Sequence, residues 1–581
     1  MRIARKPPVR LLPSAEGDTC GIAGSSEPCL LESGPREPVP PAPPPSQKKR
    51  ARGTVHPGPG ADPTDQTGNE RHRVSREGRA SSPRALAFTI LRQVTGEGAY
   101  ANIALAQGLA ACGAQGRDAA LVTELVAGTC RLLGTYDRIL QAAAGRELGT
   151  LQPALLDVLR LGAHQILALR TPTPVAVSAT VDLAVERIGR RVGGITNAIL
   201  RRVAVQDFDG WCAGLAQDSP DAYLSLSTGH PEWIVDVYRL VLGASRPPSS
   251  PDPLAGRFPD PSRTGERDAT SAGHPSEPDP PSTRVTVPGW SGEPYDEVAA
   301  ALAADNVAPR TTLAVRPGLA SVGELIAEGA EPGRWSPYAA IVSGDPARFT
   351  AVREGRAGVQ DEGSQLVALA LAAVDAPAGP WLDYCAGPGG KAALLAGLAG
   401  EHRERVVAHE LHPHRAALVR QAVRCYDNVD VVVGDGTRPC FQPGSFARVL
   451  VDAPCSGLGA LRRRPDARWR KDPADIPALH DLQVRLLAQA LTLARPGGVV
   501  AYVTCSPHPH ETTDVVDAVL GQGGHGHGGS SPRDPVPSPA TVIDLAEGTP
   551  LPADAVQDGY AQLWPHRHGT DAMFCALLRR A

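Results

Sequence analysis

The sequence predicts a multidomain chain: an all-α domain, then a small α/β unit, then a larger α/β domain on a parallel sheet. Three observations point there. First, the 581 residues hold 61 Gly and 57 Pro, and the prolines cluster. Residues 1–83, 247–281 and 521–540 carry 29 of them. That leaves most of the chain free to bury about three cores rather than the four its length suggests. Second, residues 84–206 repeat apolar side chains at helical spacing. Third, from residue 366 short apolar runs alternate with helical stretches, the rhythm of βαβ units.

Composition excludes several classes. No run of about 18 apolar residues occurs, so no membrane span is expected. The basic start MRIARKPPVRLLPSAEG has no apolar stretch behind it, so no secretory signal is expected either. The eleven cysteines form no CxxC or CxxxC pair, which argues against a disulfide scaffold and a zinc ribbon. Reduced cytoplasmic thiols are the expectation, and so is a monomer, since no heptad run is present. Net charge is −4, so any surface for a polyanion must be local. Only five lysines stand among 58 basic residues, and Lys391 and Lys471 alone lie beyond residue 83.

The elements follow in order. Residues 1–83 are poor in apolar side chains and are expected to be a disordered tail with a basic KKRAR at 48–52. In 84–206, Leu121, Val122, Leu125 and Val126 share one helical face, and Leu155, Leu156, Leu159 and Ile166 another. Pro153, Pro172, Pro174 and Gly193–Gly194 punctuate the helices. Thirteen Arg against eight acids give this stretch a local +5, suited to phosphate. Residues up to 245 continue helical. Residues 246–284 read as a Pro-rich flexible insertion, and 285–365 as the small α/β unit.

Five strands are then predicted: WLDYCAG, VVAHEL (406–411), VDVVVGDG (429–436), ARVLVDAPC (447–455) and GGVVAYVTCS (497–506). Ligands of such a sheet gather at its strands' C-terminal ends. The insertion 521–540 carries His525 and His527 on a Gly-rich stretch, and no metal site is expected there.

Chemistry concentrates at those strand ends. The first strand runs into Cys385-Ala386-Gly387-Pro388-Gly389-Gly390-Lys391, a Gly-rich turn before a helix. Such a turn lets backbone N–H groups approach a ligand closely. It matches neither GxGxxG nor a Walker A sequence. Glu410 ends the second strand, placed for ribose hydroxyls, and Asp435 follows the third, placed for an adenine amine. Acids at successive strand ends without a diphosphate fingerprint suit S-adenosylmethionine better than a dinucleotide. Each is otherwise a helix cap.

The fourth strand ends Asp452-Ala453-Pro454-Cys455, and the fifth Thr504-Cys505. Two thiols in polar turns on adjacent strand tips, beside a carboxylate, suit covalent activation of a pyrimidine. Thiolate addition at C6 of cytosine makes C5 nucleophilic, and Asp452 is placed to hold N3. Between these strands Arg462, Arg463, Arg464, Arg468 and Lys471 surround Trp469, which reads as a phosphate-tracking strip with a stacking face or as a plain solvated surface.

DYCAGPGGK, VVGDG, VDAPCSGLG, RRRPDARW and VTCSPHPHE together resemble the Sun-type (RsmB/Fmu) bacterial 16S rRNA cytosine-C5 methyltransferases. GYAQLWPHRHGTDAMF (559–574) is similar to that family's closing segment, and AGVQDEGSQLVALAL (357–371) to the lead-in to its catalytic core. GRDAALVTELVAGTCR (116–131), LLDVLRLGAHQIL (155–167) and GITNAILRR (194–202) resemble NusB-like RNA-binding domains. The resemblance implies a NusB-like RNA-binding domain over 84–245, a small α/β linker domain, and a Rossmann-like S-adenosylmethionine-dependent methyltransferase domain over 366–581. It implies that loop 385–391, Glu410, Asp435 and Asp452 contact S-adenosylmethionine or the adjoining base. It implies that Cys505 is the nucleophile and that Cys455 assists product release; spacing alone leaves open which cysteine attacks. The implied partner is RNA, 16S rRNA by the NusB-like domain, with tRNA or another RNA as the alternative. Glu410 departs from the family's usual Asp.

Overall fold

The computed structural model describes residues 82–169, 171–217, 219–243, 293–521, 539–546 and 548–581. The expected tail up to residue 81, with KKRAR, lies outside the described residues. So do the insertion 246–284 and residues 522–538, with His525 and His527.

The N-terminal domain is helical throughout. Its first helix, Pro83–Gly96, starts where Ser82 accepts a hydrogen bond from the Ala85 amide and Pro83 takes the first turn. Helices Ala101–Cys112, Gly116–Arg131, Leu133–Ala144, Pro153–Leu167, Thr173–Arg187 and Gly193–Val203 complete it. Val122, Leu125, Val126, Leu155 and Leu159 are buried as the periodicity predicts, while Leu121 and Leu156 stay at the margin of the core. Helices Phe208–Ala216, Pro220–Thr228 and Glu232–Leu242 extend the domain.

Helix Glu293–Ala304 departs from the expected boundary. It was grouped with the α/β unit, yet Val298, Ala301 and Leu302 share a core with Ile234 and Tyr238 of helix Glu232–Leu242. Leu458, Leu461 and Trp564 of the catalytic domain join the same core. The α/β unit proper is a four-stranded antiparallel sheet of β1 (Thr311–Val315), β2 (Glu331–Pro332), β3 (Ala339–Val342) and β4 (Ala357–Val359). Its order is β2-β3-β1-β4.

The C-terminal domain contains the five expected parallel strands: β5 (Trp381–Asp383), β6 (Val406–Glu410), β7 (Val429–Val433), β8 (Phe446–Asp452) and β9 (Ala494–Thr504). Antiparallel pieces extend the sheet beyond β9: β10 (Ala540–Ile543), β11 (Val556–Gln557), β12 (Tyr560–Gln562) and β13 (Phe574–Arg580). The sheet is therefore mixed, in the order β11-β12-β13-β9-β8-β5-β6-β7, with β10 also paired to β13. Leu366, Leu394 and Leu398 cover one face, and Leu486, Leu487 and Val516 the other. Burial on both faces explains why β5, β6 and β8 read as unbroken apolar runs. From β5 the chain winds outward to β6 and β7, then returns to place β8 on β5's other side. Chain order thus reverses between β5 and β8, where such sheets open a crevice at the strand ends.

Candidate active site

The turn after β5 is held by close approach. A Cβ on Gly387 would lie 2.4 Å from Glu410 Oε2, so a side chain there would displace the carboxylate. Gly389 has φ +108°, and its Cβ would meet Ala422 Cβ at 2.7 Å. Gly389 requires glycine by its backbone conformation. The Gly387 amide donates to Glu410 Oε2 at 3.0 Å, and the His412 amide donates to Oε1 at 3.0 Å. Arg415 donates to the Gly387 carbonyl at 2.6 Å. Glu410, expected to face a ribose, thus also holds the turn, although each carboxylate oxygen can accept a second hydrogen bond. Asp435 is more open, and its Oδ1 accepts from the Thr437 amide and hydroxyl, both at 2.8 Å. Those hydrogen bonds keep its carboxyl below the usual range. Leu411 and Val433 are exposed apolar side chains at the ends of β6 and β7.

Next to the switch point, at the tips of the paired strands β8 and β9, the two predicted thiols meet. Cys455 Sγ and Cys505 Sγ lie 3.4 Å apart. The hydrogen bond from Cys455 lowers the Cys505 thiol from its ordinary value, with burial opposing and Lys391 assisting. Cys455 is raised, by that same bond and by burial. Of the two thiols, Cys505 is the one shifted toward the thiolate form. Lys391 Nζ donates to Asp452 Oδ2 at 2.9 Å. Burial opposes the lysine's charge, but Asp452 more than offsets this and its pKa rises. A cation, a carboxylate and a polarised thiol pair are thus brought together from three strand ends.

Two neighbouring acids carried no role in the sequence reading. Asp383 is fully buried, and among the described residues neither carboxylate oxygen has a hydrogen-bond partner. Burial first, and then Asp452, push it up to about 8. Glu511, also fully buried, accepts from the Ser456 amide at 2.6 Å, from the Ser456 hydroxyl, and from Gln483 Nε2 at 3.3 Å. Ser456 and Ser506 hydroxyls are 3.2 Å apart. Glu511 thereby latches the Cys455 loop to the segment following Cys505. The sequence signal was present as the last residue of VTCSPHPHE, but nothing in its spacing indicated which loop it would reach.

The cationic strip is corrected by the structure. Arg462 donates to Asp571 Oδ1 at 2.6 Å and Asp361 Oδ2 at 2.8 Å; Arg463 donates to Asp571 Oδ2 at 2.9 Å and also to Asp361. Arg468 is fully buried, donating to the Gly229 carbonyl at 3.1 Å, the Asp305 carbonyl at 3.2 Å and Asn306 Oδ1 at 2.8 Å. Trp469 donates to the Cys130 carbonyl at 3.0 Å and packs where Gly134 has no side chain. Arg462 and Arg463 thus brace the catalytic domain's own Asp361 and Asp571, while Arg468 and Trp469 fasten it to the helical domain; none of the four is free to track a phosphate chain. Arg464 is exposed and Lys471 half-buried, and neither side chain makes a hydrogen bond among the described residues.

The strand-end residues fit S-adenosylmethionine: a glycine cradle that a Cβ would fill, a buried acid with orphaned oxygens, and apolar edges at Leu411 and Val433. Comparison with known proteins agrees. Residues 368–579 match the family of 16S rRNA methyltransferases RsmB/F, and residues 81–205 match the NusB family. A methyltransferase of Mycobacterium tuberculosis H37Rv is 43% identical over 505 residues, spanning 86% of this chain and 96% of that protein. Ribosomal RNA small subunit methyltransferase B of Vibrio cholerae is 29% identical over 408 residues, spanning 70% of this chain and 81% of its own length. The crystal structure of PH0851 shares the fold, with TM-score 0.61 at 19% identity, covering 87% of this chain and 99% of that one.

Proposed function

Because this chain belongs to the RsmB/F family of S-adenosylmethionine-dependent methyltransferases, with a NusB-family domain before the catalytic core, we propose that it methylates C5 of a cytidine in 16S rRNA through a covalent bond between Cys505 and C6. The observation carrying this reading is the thiol pair at the tips of β8 and β9, Cys455 Sγ 3.4 Å from Cys505 Sγ, beside the Lys391–Asp452 pair. Glu410, Asp435 and loop 385–391 would hold S-adenosylmethionine, which supplies an electrophilic methyl group.

The protein's own groups then divide the work. Cys505, the thiol held lower, adds to C6 as a thiolate, and the ring electrons move to C5. Asp452, beside Lys391, anchors the N3 edge of the base. The target base must leave its stack to reach a site at strand ends. After C5 takes the methyl group, Cys455 as a thiolate takes the C5 proton, the C5–H electrons re-form the C5–C6 double bond, and Cys505 leaves C6 as a thiolate. Among the described residues no group of His, Cys, Asp and Glu has metal-binding geometry. The homologue named for ribosomal RNA motivates the substrate assignment.

Two variants test the division of labour. Cys505→Ala abolishes methyl transfer. Cys455→Ala accumulates a protein–RNA species that survives denaturing electrophoresis. Finding that species with Cys505→Ala instead would exchange the two roles.

A further inference from the structure

Behind the cofactor loop lies a second cleft. It sits between β1 and β4 of the small sheet and the helix that follows the Gly-rich turn, and encloses about 190 Å³. Ala314, Arg316, Val359, Gln360, Pro388 and Gly390 line it. Sites that enclose a whole small ligand usually measure ~300–1,000 Å³. This one suits a single ring of a longer molecule whose remainder lies outside.

The side chains are unusual for a mere packing gap. Arg316 is only 8% exposed, and no carboxylate pairs with it among the described residues. One guanidinium nitrogen donates to the Gly355 carbonyl at 2.5 Å, and that is its side chain's single hydrogen bond among them. Arg424 approaches from the other side of Gly355, where a Cβ would lie 2.3 Å from its Nη2. Two guanidinium groups thus flank one residue, and among the described residues no acid is bound to either. Burial and Arg424 both act against the Arg316 charge, so an anion there would relieve a standing cost. Beside it Val359, 58% exposed, offers an apolar surface at the strand end. Gln360 is nearly buried, with its amide donating to Ser364 at 3.3 Å.

We propose that this cleft binds a nucleotide of the RNA near the target cytidine, with its phosphate on Arg316 and its base over Val359 and the Gln360 amide. A phosphate for the guanidinium, an apolar ring face and a polar base edge are the three parts of a single-stranded nucleotide. The cleft shares Pro388 and Gly390 with the cofactor loop, so an occupant would buttress that loop from behind. The inference rests on the proposed RNA substrate, and it gives the small α/β unit a direct role in gripping that substrate.

The test uses the full chain, unmodified 16S rRNA and S-adenosylmethionine, with binding of each measured separately. Arg316→Ala weakens RNA binding roughly tenfold, as loss of a charge-assisted hydrogen bond does. It also makes the salt dependence shallower by about one unit of slope. Affinity for S-adenosylmethionine remains as in the wild type. Gln360→Glu, which keeps the shape and adds a repelling charge, weakens RNA binding in the same way. Unchanged RNA affinity in both variants overturns the proposal and leaves the methyltransferase reading intact. Parallel loss of RNA and S-adenosylmethionine affinity also overturns it, making Arg316 a strut of the small sheet. A wild-type protein that binds no RNA sinks both readings.

Discussion

Asp383 ends β5 fully buried, with neither oxygen partnered among the described residues, and burial pushes its carboxyl up to about 8 from near 3.8. The folded state therefore binds its proton more tightly than the unfolded chain does. Between about pH 4 and pH 8 stability must fall as pH rises, since the unfolded chain releases that proton first. Asp383→Asn should remove this dependence. Its gain in stability should be largest at pH 8 and vanish near pH 4, with an upper bound of ~6 kcal/mol at ~1.4 kcal/mol per unit. A gain equal at both pH values would contradict the assignment. Cys505 shifts the other way, lowered by the hydrogen bond from Cys455. Single-turnover adduct formation should fall as pH drops through the lowered thiol value. In Cys455→Ala that acid limb should move to higher pH, because the donor is gone. An unmoved limb would mean that the Cys455 hydrogen bond does not activate the nucleophile.

At the scale of elements, the strip between β8 and β9 teaches the most. Cations around a tryptophan look alike in sequence whether they face RNA or a neighbouring domain, because composition does not say what lies opposite. The structure places the helical domain opposite: Arg468 on the carbonyls of Gly229 and Asp305, and Trp469 on that of Cys130. Trp469→Ala should cost about 3 kcal/mol, as for a large packed aromatic, and leave the salt slope of RNA binding unchanged. Arg464→Ala, by contrast, should lower that slope by ~1 if its exposed guanidinium meets a phosphate. A measured drop in slope for Trp469→Ala would restore the RNA-facing reading. The parallel strands were legible as short apolar runs ending in polar turns, and for β5, β6 and β8 the cause is burial on both faces. The antiparallel pieces β10–β13 were not. Two of them span only two or three residues, and their partners are set by tertiary contact alone. Of the site, the loop 385–391, Asp452 and the two thiols were legible because strand ends converge by topology. Glu511 and Asp383 were not, since their importance comes from burial and from which loop they touch.

Over the whole molecule, one core joins helices Glu232–Leu242 and Glu293–Ala304 to Leu458, Leu461 and Trp564 of the catalytic domain. With Arg468 and Trp469 pinned across the same junction, the helical and catalytic domains should melt in a single calorimetric transition. Trp469→Ala should split that transition, and two separate transitions in the wild type would contradict the coupling. On the proposed function, this junction would present RNA held by the helical domain to the catalytic site. The central claim is the reaction itself. The most direct measurement incubates the purified chain with unmodified 16S rRNA and S-adenosylmethionine carrying a labelled methyl group, then digests the RNA to nucleosides. The account predicts that the label appears in 5-methylcytidine, at one position protected in bisulfite sequencing, and that Cys505→Ala yields none. Label in any other nucleoside, or in 5-methylcytidine made equally well by Cys505→Ala, would contradict it.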